Sequence, residues 1–212
     1  MPIGWVNVAP VYKLDSAEET EVELTALKGY IASWGTTKEG GGIGGVPDRP
    51  EDSQVEQPEW NLWPKARKKW LSRLEQSVGL IKDMIKELRD EEVYVYKVGG
   101  ITVGCMFLSP SDTHVHIEYL VTHPGTDGAG GVLIERAVQR SCELDLKGVV
   151  RLFWANNNSR KMYEHMGFGD FAGSGDTPDN FELKPAEKSD KWQPVGAGSY
   201  QYKSNIGQYW AS

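Results

Sequence analysis

The chain has 212 residues, of which 39% are hydrophobic and 25% charged, and this composition excludes a largely disordered protein. Its length allows one domain with a substantial core, and no apolar run reaches the roughly 20 residues that a membrane-spanning helix needs. The net charge of −7 disfavours nucleic acid, whose phosphates it repels, and favours a cationic partner such as an amine.

The cysteines and the start of the sequence indicate the compartment. Cys105 and Cys142 both lie in apolar patterns, which favours buried thiols over a disulfide or a zinc site. The first residues lack the basic start and the apolar stretch that define a signal peptide. Together these features predict a cytoplasmic protein with reduced cysteines.

The chain begins with a predicted strand and a predicted helix. The strand lies within residues 5–14. Ser16 with Glu19, or Asp15 with Glu18, is typical of the capping box that begins a helix. Apolar residues three and four apart then indicate one buried helical face.

A loop rich in glycine and proline separates this helix from the next one. Residues 35–59 lack a strand before them and a helix directly after them, so a flexible linker or a lid is favoured over a phosphate-binding loop. A second helix is predicted from Pro64 to about Asp90, with an apolar stripe on one face. Its start is basic, and we favour a solvated face over a site for phosphates or an acidic partner. The basic residues are Lys65, Arg67, Lys68, Lys69 and Arg73.

The second half of the chain alternates strands and helices. Strands are predicted at 93–98, 101–108, 114–121, 149–154 and 181–183, and helices at 131–144 and 159–165. Gly99-Gly100, between the first two of these strands, is typical of a hairpin turn. This order predicts a mixed α/β fold with a mostly antiparallel central sheet and helices on both of its faces.

The domain organisation follows from a change of composition near the end of the chain. Residues 1–185 are expected to form one domain that includes the loop at 35–59, and residues 186–212 a C-terminal tail. The tail is polar, yet it contains more aromatic residues than disordered segments usually have. We therefore expect it to pack on the domain or on a partner. Its aromatic residues are Trp192, Tyr200, Tyr202, Tyr209 and Trp210.

Two segments of the second half are the most informative about function. Gly128-Ala129-Gly130-Gly131 lies between a predicted strand and a predicted helix, where glycines let the backbone approach a ligand and a helix start can hold an anion. After the next strand, Asn156, Ser159, Tyr163 and Gly167-Phe168 follow the spacing Asn-x-x-Ser-x-x-x-Tyr-x-x-x-Gly-Phe. Together these segments resemble the two coenzyme-A-binding motifs of the GCN5-related N-acetyltransferase (GNAT) superfamily.

The resemblance implies acetyl-CoA as a cosubstrate that is bound largely by backbone groups. N–H groups at the helix start would hold the pyrophosphate, and the preceding strand would pair with the pantetheine arm like an added strand. A backbone N–H near Leu120 or Val121 would polarise the thioester carbonyl. Asn156 would hydrogen-bond the pantetheine arm. The implied cofactor-binding residues are Leu120, Val121, Thr122, Asp127, Gly128, Ala129, Gly130, Gly131, Asn156 and Ser159.

The resemblance also implies two catalytic residues. Tyr163 would act as the general acid for the departing thiolate, and Glu118 as the base that accepts the proton of the amine. His116 is the alternative base, since alternation along the strand places it on the same face as Glu118 and Leu120. The competing interpretation of this face is a polar surface that only contacts solvent.

Metal and covalent catalysis are not expected. His114 and His116 share the predicted face, but no third ligand with suitable spacing accompanies them, so we predict no metal site. Cys105 lies in an apolar strand and is expected to pack in the core rather than to carry an acyl group.

These features predict an N-acetyltransferase that moves the acetyl group from acetyl-CoA to a primary amine by direct transfer in a ternary complex. The acceptor would be a small molecule or a protein amino group, with neither a nucleic acid nor a membrane as partner. Gly125 stands where the family usually has Gln or Arg, which favours the alternative of a non-catalytic module that binds acyl-CoA or a partner. A second alternative is an acetyltransferase effector or toxin that acts on a macromolecule. Assembly as a homodimer is left open.

Overall fold

The computed structural model describes residues 11–34, 63–86, 91–123, 126, 128–155, 157–171, 180–196 and 198–203. The strands are β1 (Val11–Leu14), β2 (Glu92–Val98), β3 (Ile101–Pro110), β4 (Val115–Thr122), β5 (Val150–Phe153), β6 (Gly169–Asp170), β7 (Asn180–Leu183), β8 (Trp192–Pro194) and β9 (Tyr200–Tyr202). The helices are α1 (Ala17–Trp34), α2 (Trp63–Lys86), α3 (Ala129–Glu143) and α4 (Asn157–Met166), with a short 3₁₀ helix at Pro185–Glu187. The predicted loop at 35–59 lies outside the described residues, as do the side chains of the basic cluster at the start of α2.

The central sheet has seven strands in the order β1-β2-β3-β4-β5-β7-β6. Strands β4 and β5 are parallel, and every other neighbouring pair is antiparallel. Such a pattern arises because α3 carries the chain back between β4 and β5, whereas short turns join β2 to β3 and β3 to β4. The mixed, mostly antiparallel sheet predicted from the sequence is confirmed.

Helices cover both faces of the sheet and bury two separate apolar cores. On one face, α1 and α2 pack on the first four strands through Leu24, Leu27, Ile31, Ile81 and Met84. On the other face, α3 and α4 pack through Leu133, Ile134, Ala137, Val138, Tyr163 and Met166. Alternation along β2 shows how one strand serves both cores, because Val93 and Val95 face the first and Tyr94 faces the second.

The start of α1 is fixed by side-chain hydrogen bonds. The Ser16 hydroxyl accepts the backbone N–H of Glu19 at 3.1 Å, as the predicted capping box requires. The Glu19 carboxylate accepts the N–H of Asp15 at 3.2 Å rather than that of Ser16. Two N–H groups at the start of the helix are thereby satisfied, and the helix begins at Ala17.

The hairpin of β2 and β3 turns at two glycines with positive φ angles. Gly99 and Gly100 have φ values of 57° and 82°, which residues with a Cβ rarely adopt.

No helix in the described part of the chain is both long enough and apolar enough to cross a membrane.

The C-terminal segment contributes to the second core. Trp192 is 1% exposed, and its indole N–H donates to the Met166 carbonyl at 2.8 Å. Tyr202 packs beside it with the two rings tilted and their centroids 5.2 Å apart, and its hydroxyl donates to the His165 carbonyl at 3.2 Å. The hairpin of β8 and β9 therefore packs on the end of α4, while the proposed division of the chain at 185/186 stays a prediction.

Candidate active site

The sheet opens between β4 and β5. The two strands pair in parallel at Val115–Val150, His116–Arg151 and Ile117–Leu152. Strand β5 ends at Phe153, whereas β4 continues to Thr122, so in the described chain residues 118–122 have β3 on one side and no strand on the other. An extended ligand can add to such an exposed strand side through backbone hydrogen bonds.

A β-bulge at Glu118 marks the point where the opening begins. Phe107 pairs with Tyr119 and Leu108 pairs with Ile117, which leaves Glu118 as the extra residue of β4. The bulge reverses the alternation of faces: Val115 and Ile117 face the α3 side, as Leu120 does. The prediction that Leu120 shares a face with His116 is therefore wrong, because that prediction assumed a regular strand.

His116 and Glu118 lie next to each other where the opening begins. His116 Nε2 lies 4.0 Å from Glu118 Oε2, and the two side chains are 15% and 39% exposed. The His116 Nε2 atom is buried and has no hydrogen-bond partner among the residues that the structure describes. Burial lowers the pKa of His116, Glu118 partly offsets this effect, and Arg151 adds to it. His116 is therefore neutral at pH 7 and able to accept a proton.

Polar side chains extend from His116 across the same face of the sheet. The Arg151 guanidinium donates to the Glu182 carboxylate at 2.8 Å, and Lys184 lies 2.7 Å from the other oxygen of that carboxylate. Arg151 also lies over the Phe171 ring at 3.7 Å from its centroid. The positive charge of Arg151 is thus paired with a carboxylate, although it still contributes to the lowered pKa of His116.

The glycine-rich segment forms the start of α3 on the opposite face. Gly128 caps the helix with φ 79°, a left-handed conformation that favours glycine, and the Val132 N–H donates to its carbonyl at 3.1 Å. The N–H groups of the three residues between them have no carbonyl partner within the helix, by helix geometry. A Cβ at Gly130 would lie 3.4 Å from Met162 Sδ and 3.8 Å from Leu120 Cδ2. The backbone here is thus packed closely between β4 and α4.

Tyr163 lies on α4 within the second core. Its side chain is 7% exposed, and its ring packs against Phe168 at 5.6 Å between centroids. Burial raises the pKa of Tyr163 to about 12. Its hydroxyl remains protonated at neutral pH and can therefore act as a donor. Ser159, one turn earlier on the same helix, is half-buried.

The predicted cofactor-binding residues differ in burial, and some of them lie outside the described residues. Leu120 and Thr122 are half-buried on the open part of β4, and Val121 is buried against α1 and α2. Gly128, Ala129, Gly130 and Gly131 are buried. Asp127 and Asn156 lie outside the described residues, as does Gly125.

The structure adds two aromatic residues that the sequence motifs do not single out. Phe153 ends β5 with its side chain 56% exposed, and its ring lies 5.2 Å from that of His116 between centroids. Trp154 follows it, and its buried indole N–H has no hydrogen-bond partner in the described part of the chain. The only signal in the sequence is their position directly before the Asn156 motif.

The remaining predicted alternatives concern metal and thiol chemistry. The described residues contain no group of three or more His, Cys, Asp or Glu side chains that could hold a metal ion. Cys105 is fully buried in the first core, and its burial strongly raises the pKa of the thiol. Such a thiol is not a nucleophile at neutral pH.

Comparison with known proteins places this arrangement in a family. The family model described as the Acetyltransferase (GNAT) family matches residues 55–168. No curated protein matches the sequence significantly.

Solved structures of acetyltransferases are similar to this chain at low identity. The PaiA N-acetyltransferase from Thermoplasma acidophilum, in complex with coenzyme A, is 17% identical with a TM-score of 0.40, over 82% of this chain and 96% of that one. A histone acetyltransferase HPA2-related protein from Corynebacterium glutamicum is 16% identical with a TM-score of 0.43, over 82% and 94%. A GNAT acetyltransferase from Elizabethkingia anophelis, with acetyl-CoA bound, is 16% identical with a TM-score of 0.38, over 50% and 82%.

The family model covers more than half of the chain, including the opening between β4 and β5, the glycine-rich helix start and Tyr163. The chain belongs to the GNAT family of acetyltransferases.

Proposed function

We propose that this protein transfers an acetyl group from acetyl-CoA to a primary amine by direct attack in a ternary complex. The observation that carries the proposal is the opening of the sheet at Glu118. A helix start suited to phosphates lies on one side of it, and the pair of His116 and Glu118 lies on the other. The acceptor would be a small molecule or a protein amino group in the cytoplasm.

The residues around the opening fit acetyl-CoA as a substrate. The first-turn N–H groups of α3 are suited to a pyrophosphate, because they lack carbonyl partners within the helix and lie at the positive end of the helix dipole. Glycines at this helix start place no side chain between the backbone N–H groups and a ligand. Residues 120–122 of β4 offer backbone groups on the side without a strand. Acetyl-CoA, when bound, supplies the activated thioester.

The pair of His116 and Glu118 can prepare the amine for attack. An amine is positively charged at neutral pH and must lose a proton before its nitrogen can attack a carbonyl. The Glu118 carboxylate attracts the ammonium group, and neutral His116 can take the proton at Nε2, which has no other partner among the described residues. Glu118 itself is the second acceptor for this proton.

Tyr163 can serve the departing sulfur. Because its pKa is raised to about 12, its hydroxyl stays protonated at every physiological pH. A thiol has a pKa near 8.5, so complete proton transfer from tyrosine to a thiolate is uphill. Tyr163 therefore acts first as a hydrogen-bond donor that stabilises the thiolate, and as general acid when the thiol forms.

The proposal is tested by following thiol release from acetyl-CoA in the presence of a panel of primary amines. Tyr163→Phe should lower kcat by about 100-fold while the affinity for acetyl-CoA changes little. Tyr202→Phe is the matched control, because it removes a hydroxyl from another buried tyrosine that hydrogen-bonds His165 of the same helix. Its kcat should equal that of the unchanged protein.

Each outcome separates the candidates. Equal turnover for both variants would contradict the assigned role of Tyr163. Tight acetyl-CoA binding without acetylation of any amine would support the non-catalytic module instead. Acetylation of a macromolecule but of no small amine would support an effector or toxin.

A further inference from the structure

Phe153 occupies an unusual place for an exposed aromatic ring. It is the last residue of β5, directly beside the point where β4 and β5 separate. Its side chain is 56% exposed, and its ring meets that of His116 nearly edge to face, with an angle of 63° between the planes. Single exposed apolar residues are common on proteins, so exposure alone means little. Contact with the proposed base is what sets Phe153 apart.

The charged groups near Phe153 include one partly exposed carboxylate, that of Glu118. Arg151, its neighbour on the same strand face, is paired with Glu182 and covered by Phe171. Glu118 is 39% exposed and lies 4.0 Å from His116. A ligand at this position therefore meets a carboxylate and an apolar ring that both adjoin His116.

We propose that the acceptor is a small primary amine whose nitrogen lies a few bonds from an aromatic ring, and that Phe153 selects it. The acceptor ring would pack on Phe153, and its ammonium group would face Glu118 and His116. This inference rests on the proposed acetyl transfer and names its substrate class. Aromatic rings prefer offset or edge contacts with each other, so Phe153 fixes both the distance and the direction of the amine.

The test compares three amines that differ in the group attached to nitrogen: 2-phenylethylamine, n-butylamine and putrescine. The unchanged protein should show a kcat/KM for 2-phenylethylamine about tenfold or more above that for the other two. Phe153→Ala should remove this preference by raising KM for 2-phenylethylamine, with kcat nearly constant and little change for n-butylamine. Phe153→Trp should retain the preference. Tyr12→Ala removes another exposed aromatic ring, 46% exposed on β1, and should change nothing.

The outcomes distinguish this inference from the proposed function. Equal kcat/KM values for the three amines, or an equal loss for all of them in Phe153→Ala, would overturn the role of Phe153 while acetyl transfer stands. A clear preference for putrescine would overturn it as well, because a second positive charge would then be what the site recognises. Release of no thiol with any amine would overturn both.

Discussion

The two sides of the opening between β4 and β5 present different chemical groups. On the α3 side, Gly130, Leu120 and Met162 are packed closely, and the polar groups offered are backbone N–H groups and the Tyr163 hydroxyl. On the other side, His116 and Glu118 offer ionisable side chains that are partly exposed. Backbone and shape suit a cosubstrate that is the same in every turnover, whereas charged side chains suit the chemistry of an acceptor. Substitutions on the two sides should therefore have separable effects.

The largest effect is expected on the closely packed side. Gly130→Trp should lower the affinity for acetyl-CoA by about 100-fold or more, because even a Cβ at this position meets Met162 at 3.4 Å. Gly130→Ala should cost only a few-fold, since its Cβ is in ordinary contact. Calorimetric titration with acetyl-CoA measures both.

A matched control separates loss of the site from loss of the fold. Gly29→Trp places the same indole on the exposed face of α1, where no atom lies within 4 Å of the added Cβ. Circular dichroism shows which of the three variants are folded, and only folded variants are compared. Unchanged acetyl-CoA binding by a folded Gly130→Trp protein would contradict the proposal that the α3 side binds the cosubstrate.

The next effect is expected on the polar side. Glu118→Gln and His116→Gln should each lower kcat/KM by about 100-fold without weakening acetyl-CoA binding, because they remove groups that handle the proton of the acceptor. Binding of acetyl-CoA is the internal control. A loss of cosubstrate affinity in either variant would show that the two sides are not separable.

The pH dependence decides which of the two groups is the base. The pKa of His116 is lowered by burial, raised by Glu118 and lowered by Arg151, while His114 lies 6.1 Å away between ring centroids. If His116 is the base, the ratio of kcat/KM between the unchanged protein and His116→Gln should fall as pH drops through a value below the usual 6.5. The ionisation of the acceptor cancels in this ratio. A ratio that is constant with pH would indicate that Glu118, and not His116, accepts the proton of the amine.

Much of this arrangement could be predicted from the sequence because local patterns determine it. Period-two and helical patterns predict the strands and helices, and the spacing from Asn156 to Phe168 predicts α4 with Tyr163 at one turn from Ser159. Gly128 could be assigned because a left-handed helix cap favours glycine.

The rest depends on contacts between distant parts of the chain. The bulge at Glu118 exists only through the register of β4 against β3, so simple alternation placed Leu120 on the wrong face. Phe153 is a candidate site residue only because β5 ends beside His116. Neither contact can be predicted from a local sequence pattern.

The two faces of the sheet can also be compared through the pH dependence of stability, because an ionisable group whose pKa is shifted by burial lies on each face, His123 on one and Glu135 on the other. His123 follows β4 and stacks on Tyr30 of α1 with centroids 4.7 Å apart. Burial lowers its pKa to about 4, below the value of an unfolded histidine. The native state therefore binds fewer protons, and the stability that neutral His123 contributes is present above about pH 6.5 and lost as the pH falls toward 4.

We expect this histidine to account for about 2 kcal/mol of the stability lost between pH 7 and pH 5. His123→Gln should flatten that part of the curve of unfolding free energy against pH, measured by urea denaturation. His165→Gln, on the exposed surface of α4, should leave the slope as it is. An equal slope in the His123 variant would show that His123 is protonated without cost in the folded protein.

Glu135 on α3 should produce a pH dependence of the opposite sign. Burial raises its pKa to about 7, and the backbone N–H of Tyr202, which its carboxylate accepts, opposes this change. The folded pKa lies above the unfolded value, so stability is fully present below about pH 4.5 and is lost as pH rises through 7. Glu135→Gln keeps an acceptor for the Tyr202 N–H and removes the charge. It should stabilise the protein by about 3 kcal/mol at pH 8 and by about 1 kcal/mol at pH 5, whereas Glu21→Gln at an exposed position of α1 should do neither. A gain that is independent of pH would mean that packing against β9, and not ionisation, limits stability on the α3 side.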